Sequence, residues 1–355
     1  MKLKPNAQHN LAILTSMGLR MTPANRQPAY AENLFKLQGT SAESNVATIS
    51  ATLGKNVLAL TKFVQGSPMA EFIKRDLRAR NIQFVGREVP QGGPWGYRHQ
   101  FNIADAGYGA RGPVVCNDRA GEVGATIAAE DFDLAQIFDA DGVQILHLSG
   151  LIAALSESTG KACLAVAEYA KKSGTLISFD LNYRASFWKG REKELAKLFS
   201  SVASLSDILI GNEEDFQLCL GVKGPEAGGK GIETAHFIKL IEATQKAYPN
   251  VSVFATTLRE VISANTHLWG AIGCMNGVWT QVPLREITVL DRIGGGDGFV
   301  GGLLYGILQG WDIEKATQFA WASGALATTF ETDYAHVLSE QQVFSIYNAD
   351  ARVKR

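Results

Sequence analysis

The 355-residue chain predicts an α/β protein, a doubly wound, mainly parallel sheet with a small β-sheet lid. Three observations carry that expectation. Between residues 143 and 329, strand-like runs alternate with helical stretches of about 10–17 residues, the pattern of βαβ units. Runs such as Thr175-Leu176-Ile177-Ser178-Phe179 are largely apolar on both faces, as a sheet covered on both sides requires. The first third is β-rich and less regular, which suits a small sheet lying across the strand ends.

A strand at 11–17 opens the chain, followed by a helix at 44–53, a strand at 57–63 and a helix at 68–80. Extended runs follow at 82–89, 97–103 and 113–118. The alternating part comprises strand 143–149, helix 157–173, strand 175–182, helix 193–205, strand 208–211, helix 237–247 and strand 251–257. A β-type run at 279–290, a glycine-led helix and a helix at 313–329 complete it. A single unit over 1–355 is expected, its lid drawn from segments within about 15–40 and 95–120. The stretch 224–231 reads as an exposed loop.

A composition of 46% hydrophobic and 19% charged residues suits a soluble globular protein. A net charge of −1 leaves no electrostatic footprint for nucleic acid or an anionic membrane. No stretch approaches the roughly 20 apolar residues of a membrane span. Residues 1–11 are polar and lack the apolar core of a secretory signal. Cys116, Cys163, Cys219 and Cys274 are scattered without a C-x-x-C pair, and read as buried, reduced thiols of a cytoplasmic protein. The histidines are dispersed, and His147, within an apolar strand, reads as a core residue.

Chemistry concentrates in Asp291-Arg292-Ile293-Gly294-Gly295-Gly296-Asp297-Gly298-Phe299, between the β-type run and an apolar helix. Gly294, Gly295 and Gly296 at a helix entrance let the backbone approach an anion, with the positive end of the helix dipole behind them. Asp297 would then stand where it can take a proton from an attacking hydroxyl. The plainer alternative is a tight turn with Asp297 as a helix cap. Gly301 and Gly302, inside the helix, point to close packing against a neighbour. A P-loop would need Gly-Lys-Ser/Thr after its glycines, and a Rossmann fingerprint would open the first βα unit; neither fits.

Asp180-Leu181-Asn182-Tyr183-Arg184 follows a buried strand and emerges at the sheet edge where such folds bind ligands. Arg184 offers a planar fork for a carboxylate or phosphate, or a surface ion pair. Asn212-Glu213-Glu214-Asp215 also follows a strand; its carboxylates suit water-coordinated Mg²⁺ or the first turn of a helix. Asp118-Arg119 ends an extended run in the lid.

On these motifs the chain resembles the ribokinase-like (PfkB) sugar kinases, whose late signature is an Asp, two residues, then Gly-Ala-Gly-Asp. Residues 291–297 match it with Gly295 in place of Ala. The subgroup acting on 2-keto-3-deoxygluconate shares further marks: Asp180 to Arg184, Asn212 to Asp215, Thr257-Leu258-Arg259-Glu260, Leu148-Ser149-Gly150, Ala42 to Ala47 and Leu19 to Pro23. The resemblance implies an ATP- and Mg²⁺-dependent kinase for a sugar or sugar-acid hydroxyl, with 2-keto-3-deoxygluconate, converted to its 6-phosphate, first among the acceptors. Asp297 would be the general base, and Gly294, Gly295 and Gly296 the anion hole. Arg184, Arg119, Ser41 and Asp333 would bind the acceptor. Thr257, Arg259, Asn182 and Trp321 would border ATP, while Asn212 and Asp215 would organise Mg²⁺ through water. A homo-oligomer is implied as well.

Departures concentrate on the acceptor side. An early Gly-Gly is Thr40-Ser41 here, an acid after the first strand is Ser16, and a Tyr before the lid arginine is Asn117. Trp321 stands where a small polar residue is usual. The alternatives are therefore a kinase for another ketose or aldonic-acid derivative, or a catalytically idle sugar- or nucleotide-binding homologue.

Overall fold

The computed structural model describes residues 1–223, 234–350 and 352; the loop expected at 224–231 lies outside them. The first third contains β1 (His9–Leu14), β2 (Gly18–Pro23), β3 (Phe35–Thr40), α1 (Ala42–Thr52), β4 (Val57–Leu60), β5 (Phe63–Val64) and α2 (Pro68–Ala79). It ends with β6 (Ile82–Val85), β7 (Glu88–Val89), β8 (Phe101–Asp105) and β9 (Val114–Asp118). Then come β10 (Val143–Ser149), α3 (Gly150–Leu155), α4 (Glu157–Lys172), β11 (Leu176–Asp180), α5 (Ala185–Trp188), α6 (Glu192–Leu205) and β12 (Ile208–Ile210). The last part is α7 (Glu213–Leu220), α8 (Thr234–Ala247), β13 (Val253–Val261), β14 (Thr266–Met275), β15 (Val278–Thr288), α9 (Gly295–Leu308), α10 (Ile313–Ala327) and α11 (Glu340–Tyr347).

Among the described residues, nine strands form one sheet in the order β15-β14-β13-β12-β11-β10-β1-β4-β6. Pairing is parallel from β6 through to β13, and β14 and β15 close that end as an antiparallel extension. Alternate residues of each strand enter different cores. Leu11, Ile13, Ile208 and Val253 pack with α1, α9 and α10, while Ala12, Leu14, Leu209 and Phe254 pack with α4, α6 and α8. This two-sided burial is why the strand sequences read as continuous apolar runs. The expected doubly wound α/β fold is what the chain forms.

The strand order reverses between β1 and β10, which places a crevice at the carboxyl ends of the parallel strands. Beside it, β3-β2-β8-β9 form a separate small sheet. Several elements differ from the sequence expectations. The strand expected at 57–63 breaks into β4 and β5, and that at 82–89 into β6 and β7. The ten-residue β14 was not anticipated, since its Gly270 and Gly273 mask a strand that packs under α10. Short helices α3 and α11 were also missed, while α7 begins at the helix turn that Asn212 to Asp215 offered as one alternative. Cys116 corrects the expectation of four buried thiols: it is exposed on β9, and the other three are buried. His147 is buried with Nδ1 3.0 Å from Ser178 Oγ, and burial lowers it to about 3. No helix among the described residues is long and apolar enough to cross a membrane.

Candidate active site

The anion loop is fixed before α9 begins. The N–H groups of Leu290 and Asp291 donate to Thr328 O at 2.8 and 3.1 Å, and Asp291 Oδ1 accepts from Ile293 N at 3.0 Å. Gly294 then takes a left-handed φ of 87°, and a Cβ there would lie 1.9 Å from Asp333 O, so only glycine fits. The helix that follows leaves the first-turn N–H groups of Gly296 and Asp297 without intrahelical partners. Gly296 is exposed and opens onto free space. An anion resting there would meet those N–H groups and the positive helix end. The two glycines further in act as expected: a Cβ on Gly301 would meet Val46 O at 2.4 Å, and one on Gly302 would meet Ala320 Cα at 2.8 Å.

Asp297 projects from the first turn of α9 beside α1, where Asn45 Nδ2 donates to its Oδ2 at 2.8 Å. Burial lifts the Asp297 carboxyl to about 7; the Asn45 bond and Arg184 pull it down, and Glu43 pushes it up. Glu43 is itself fully buried on α1, accepting from Ser149 Oγ and, at 2.7 Å, from Thr15 Oγ1; burial raises its pKa. Asp180, at the end of β11, is raised well above the ordinary carboxylate value by burial and by nearby Asp215 and Asp297. Three carboxylates thus crowd one wall of the crevice.

Facing them is a group of arginines. Arg259, exposed on the projecting end of β13, is lowered to about 10, first by partial desolvation and then by the charges of Arg292 and Arg184. Arg292 is lowered too, by enclosure first, with Asp291 raising it and Arg184 lowering it. Among the described residues, Arg184, Arg259 and Arg292 form no ion pair; Arg184 Nη1 reaches only Tyr183 O, at 3.3 Å. Three arginines close enough to feel one another, with donors not spent on direct ion pairs, fit a polyanionic ligand.

The small sheet supplies the other wall. Arg119, just past β9, holds both oxygens of Glu122 at 2.9 Å, and its guanidinium lies 5.4 Å from the Phe187 ring centroid. Its Nε is buried without a partner. Ser16 Oγ also donates to Glu122. Asn182 and Thr257 lie half-buried along the crevice edge, Asn182 with a left-handed φ of 38°.

Three expectations need correction, and the pair expected at Mg²⁺ proves also to cap a helix. Ser41 Oγ caps α1 through Ser44 N at 3.0 Å and lies 2.7 Å from Thr15 Oγ1, so its hydroxyl is engaged inside the protein. Asp333 is 3% exposed, bonded by Arg20 and by Thr40 Oγ1 at 2.7 Å, and so backs the loop rather than facing an acceptor. Trp321 is 3% exposed; its Nε1 donates to Trp269 O at 2.9 Å and its ring is covered by Arg285 and Tyr347, leaving no face for adenine. Asn212 and Asp215 form a reciprocal cap on α7, with Asn212 Oδ1 accepting from Asp215 N at 2.9 Å and Asp215 Oδ2 accepting from Asn212 N at 2.8 Å. Asp215 Oδ1 further accepts from Tyr183 N at 3.1 Å. Among the described residues no group of three or more His, Cys, Asp or Glu side chains could hold a metal ion alone. Sequence reasoning passed over Asn45, Arg292, Asp180, Glu43 and Glu122 as individuals, although the first four stand inside motifs it quoted.

Known proteins share this fold. The curated 5-dehydro-2-deoxygluconokinase of Clostridium tetani is 32% identical over 174 residues, 49% of this chain and 46% of that protein. The chain thus matches about half the length of that relative. The 2-dehydro-3-deoxygalactonokinase of Haloferax volcanii is 25% identical over 339 residues, 95% of this chain and 96% of that protein. Among solved structures, the 2-dehydro-3-deoxygluconokinase of Thermotoga maritima superposes with a TM-score of 0.86 at 28% identity, covering 97% of this chain and 99% of that one. An Escherichia coli chain solved with ATP and Mg²⁺ shares the fold, with a TM-score of 0.75 at 17% identity over 96% of this chain and 99% of that one. The profile of the pfkB family carbohydrate kinases matches residues 42–336, and the chain belongs to that family.

Proposed function

We propose that this protein transfers the γ-phosphoryl group of ATP to a hydroxyl of a small sugar acid, with Asp297 as general base. The observation that carries the proposal is the placement of Asp297. It follows three glycines at an open helix start, is held by Asn45, and feels the charge of Arg184, which in turn acts on Arg259 and Arg292. The N–H groups of Gly296 and Asp297 receive the transferring phosphoryl, and Arg259 and Arg292 balance the donor's phosphate charge. Asp297 takes the proton of the acceptor hydroxyl as that oxygen bonds to the γ-phosphorus. The bond from that phosphorus to the bridging oxygen breaks, and ADP leaves.

In this reading Arg184, and Arg119 from the small sheet, hold the acceptor's carboxylate, so a sugar acid is favoured over a neutral sugar. The relatives named for deoxy-sugar-acid kinases favour the same class, and 2-keto-3-deoxygluconate, giving the 6-phosphate, is the acceptor we propose. Asp180 and Asp215 suit a water-rich Mg²⁺ that binds through one or two carboxylates and substrate phosphates. That ion supplies charge neutralisation at the phosphates when bound. The small sheet acts as a lid that excludes water, and Thr257 and Asn182 border the nucleotide. Pairing of lids between two copies is the assembly we propose, since edge strand β9 exposes Val114 and Val115. The test is to incubate the protein with ATP, Mg²⁺ and 2-keto-3-deoxygluconate and locate the phosphate by ³¹P NMR. A 6-phosphate product supports the reading, and recovery of unmodified acid with intact ATP refutes it.

A further inference from the structure

One buried guanidinium joins the small sheet to the anion loop. Arg20, in the middle of β2, is 1% exposed. Its Nη2 donates to Asp291 Oδ2 and its Nη1 to Asp333 Oδ1. Asp291 opens the loop and orients it through Ile293 N. Asp333 lies on the other side, its backbone forming the wall against which Gly294 turns. Thr40 on β3 donates to the second oxygen of Asp333. Among the described residues Arg20 is the one cation that forms an ion pair with either acid.

We propose that Arg20 is a positioning residue for the anion loop: it clamps Asp291 and Asp333 on either side of Gly294 and cancels their charge. Without it, two buried carboxylates would stand at the base of a site built to receive phosphate, and would repel that phosphate. A guanidinium suits the task because its planar fork serves two acids at once, whereas a lysine ammonium is a single point charge. Arg20 also pairs across the small sheet with Gln38 on β3 and Asn102 on β8. Movement of the small sheet would therefore reach both sides of the loop through Arg20, with Thr40 as a second contact to Asp333. The loop's sensitivity to small displacements follows from chemistry that needs the phosphoryl group within a fraction of an ångström.

The inference rests on the phosphoryl-transfer reading for its turnover readout, but its ATP-affinity readout stands apart from that reading. The test compares Arg20→Lys, Arg20→Ala with and without added guanidinium ion, and the neutral triple variant Arg20→Met, Asp291→Asn, Asp333→Asn. Calorimetric ATP binding, kcat, the KM for acceptor and Tm are measured on each. Arg20→Lys is expected to fold, keep its acceptor KM, and lose about tenfold in kcat. Arg20→Ala is expected to lose about a hundredfold in kcat and weaken ATP binding, with guanidinium restoring part of both. The triple variant, which buries no unpaired charge, is expected to recover Tm but not kcat or ATP affinity. Wild-type kcat and ATP affinity in either Arg20→Lys or the triple variant would overturn the proposal, even where Arg20→Ala fails to fold. If the wild type binds ATP but phosphorylates no acceptor, the functional reading falls, and the ATP affinities of the variants still decide the role of Arg20.

Discussion

On one side of the crevice, formed by β13, β14 and the anion loop and proposed to take the donor, Arg259 and Arg292 stand beside Arg184, and none of the three has an ion-pair partner among the described residues. On the lid side, Arg20, Arg119, Ser16, Thr40 and Asp333 are bonded to one another or to Glu122 and Asp291. The donor side thus has charge left over for a ligand, while the lid side has used most of its polar groups to hold itself in place. A site for a common phosphate donor can be generic and preformed; a lid that must fit one acceptor has to be rigid first.

The largest effect should come from the residue between the two sides. Asp297→Asn keeps the shape and the Asn45 contact but cannot accept the proton, so kcat should fall by roughly 10²–10⁴. ATP affinity should barely change. Near-normal turnover would return Asp297 to the role of a helix cap. Next come the unpaired arginines: losing a charge-assisted bond costs about 1.5–3 kcal/mol. Arg292→Ala or Arg259→Ala should therefore weaken ATP binding by about tenfold or more while leaving the acceptor KM alone. Arg184→Ala should discriminate between acceptors, losing more on sugar acids than on neutral sugars. Equal losses on both would remove the carboxylate from its role and assign Arg184 to the donor side.

A pH profile tests the same carboxylate with a smaller effect. The base works ionised and burial raises its pKa to about 7, so kcat/KM should fall as pH drops below that value. Asn45→Ala removes a bond that favours the ionised form, and the profile should move to higher pH. A profile flat between about pH 5 and pH 8, a span that a group titrating near neutrality must cross, would separate Asp297 from the rate-limiting proton transfer. The smallest effect on activity is expected at Thr40 and Ser41. Their hydroxyls point into the protein, Thr40 onto the Asp333 carboxylate and Ser41 as the cap of α1, so the double change to glycine should cost about 2–4 kcal/mol of stability. Acceptor preference should stay as it was. A marked gain on 2-keto-3-deoxygluconate would instead show that these side chains narrow the pocket.

The donor side was legible in the sequence because its signals are local. Gly294 to Asp297 form one contiguous motif whose backbone chemistry follows from residue type alone, and βαβ alternation gave the fold in the same way. The lid side was not, because, apart from the local Arg119–Glu122 pair, its contacts span 26 to 313 positions along the chain: Thr15 with Ser41, Arg20 with Asp333. Ser41 and Asp333 were read as acceptor ligands because nothing nearby in sequence shows that their polar atoms already have partners. Trp321 failed for the same reason, its partner Trp269 being on a strand whose glycines hid it.

The most direct test of the central claim is ADP release by the wild-type protein with Mg²⁺ and ATP across a panel of sugars and sugar acids. The account predicts acceptor-dependent ADP release, greatest with a six-carbon keto-deoxy sugar acid and weak with neutral sugars. ATP binding without acceptor-dependent ADP release on any member of the panel would contradict it.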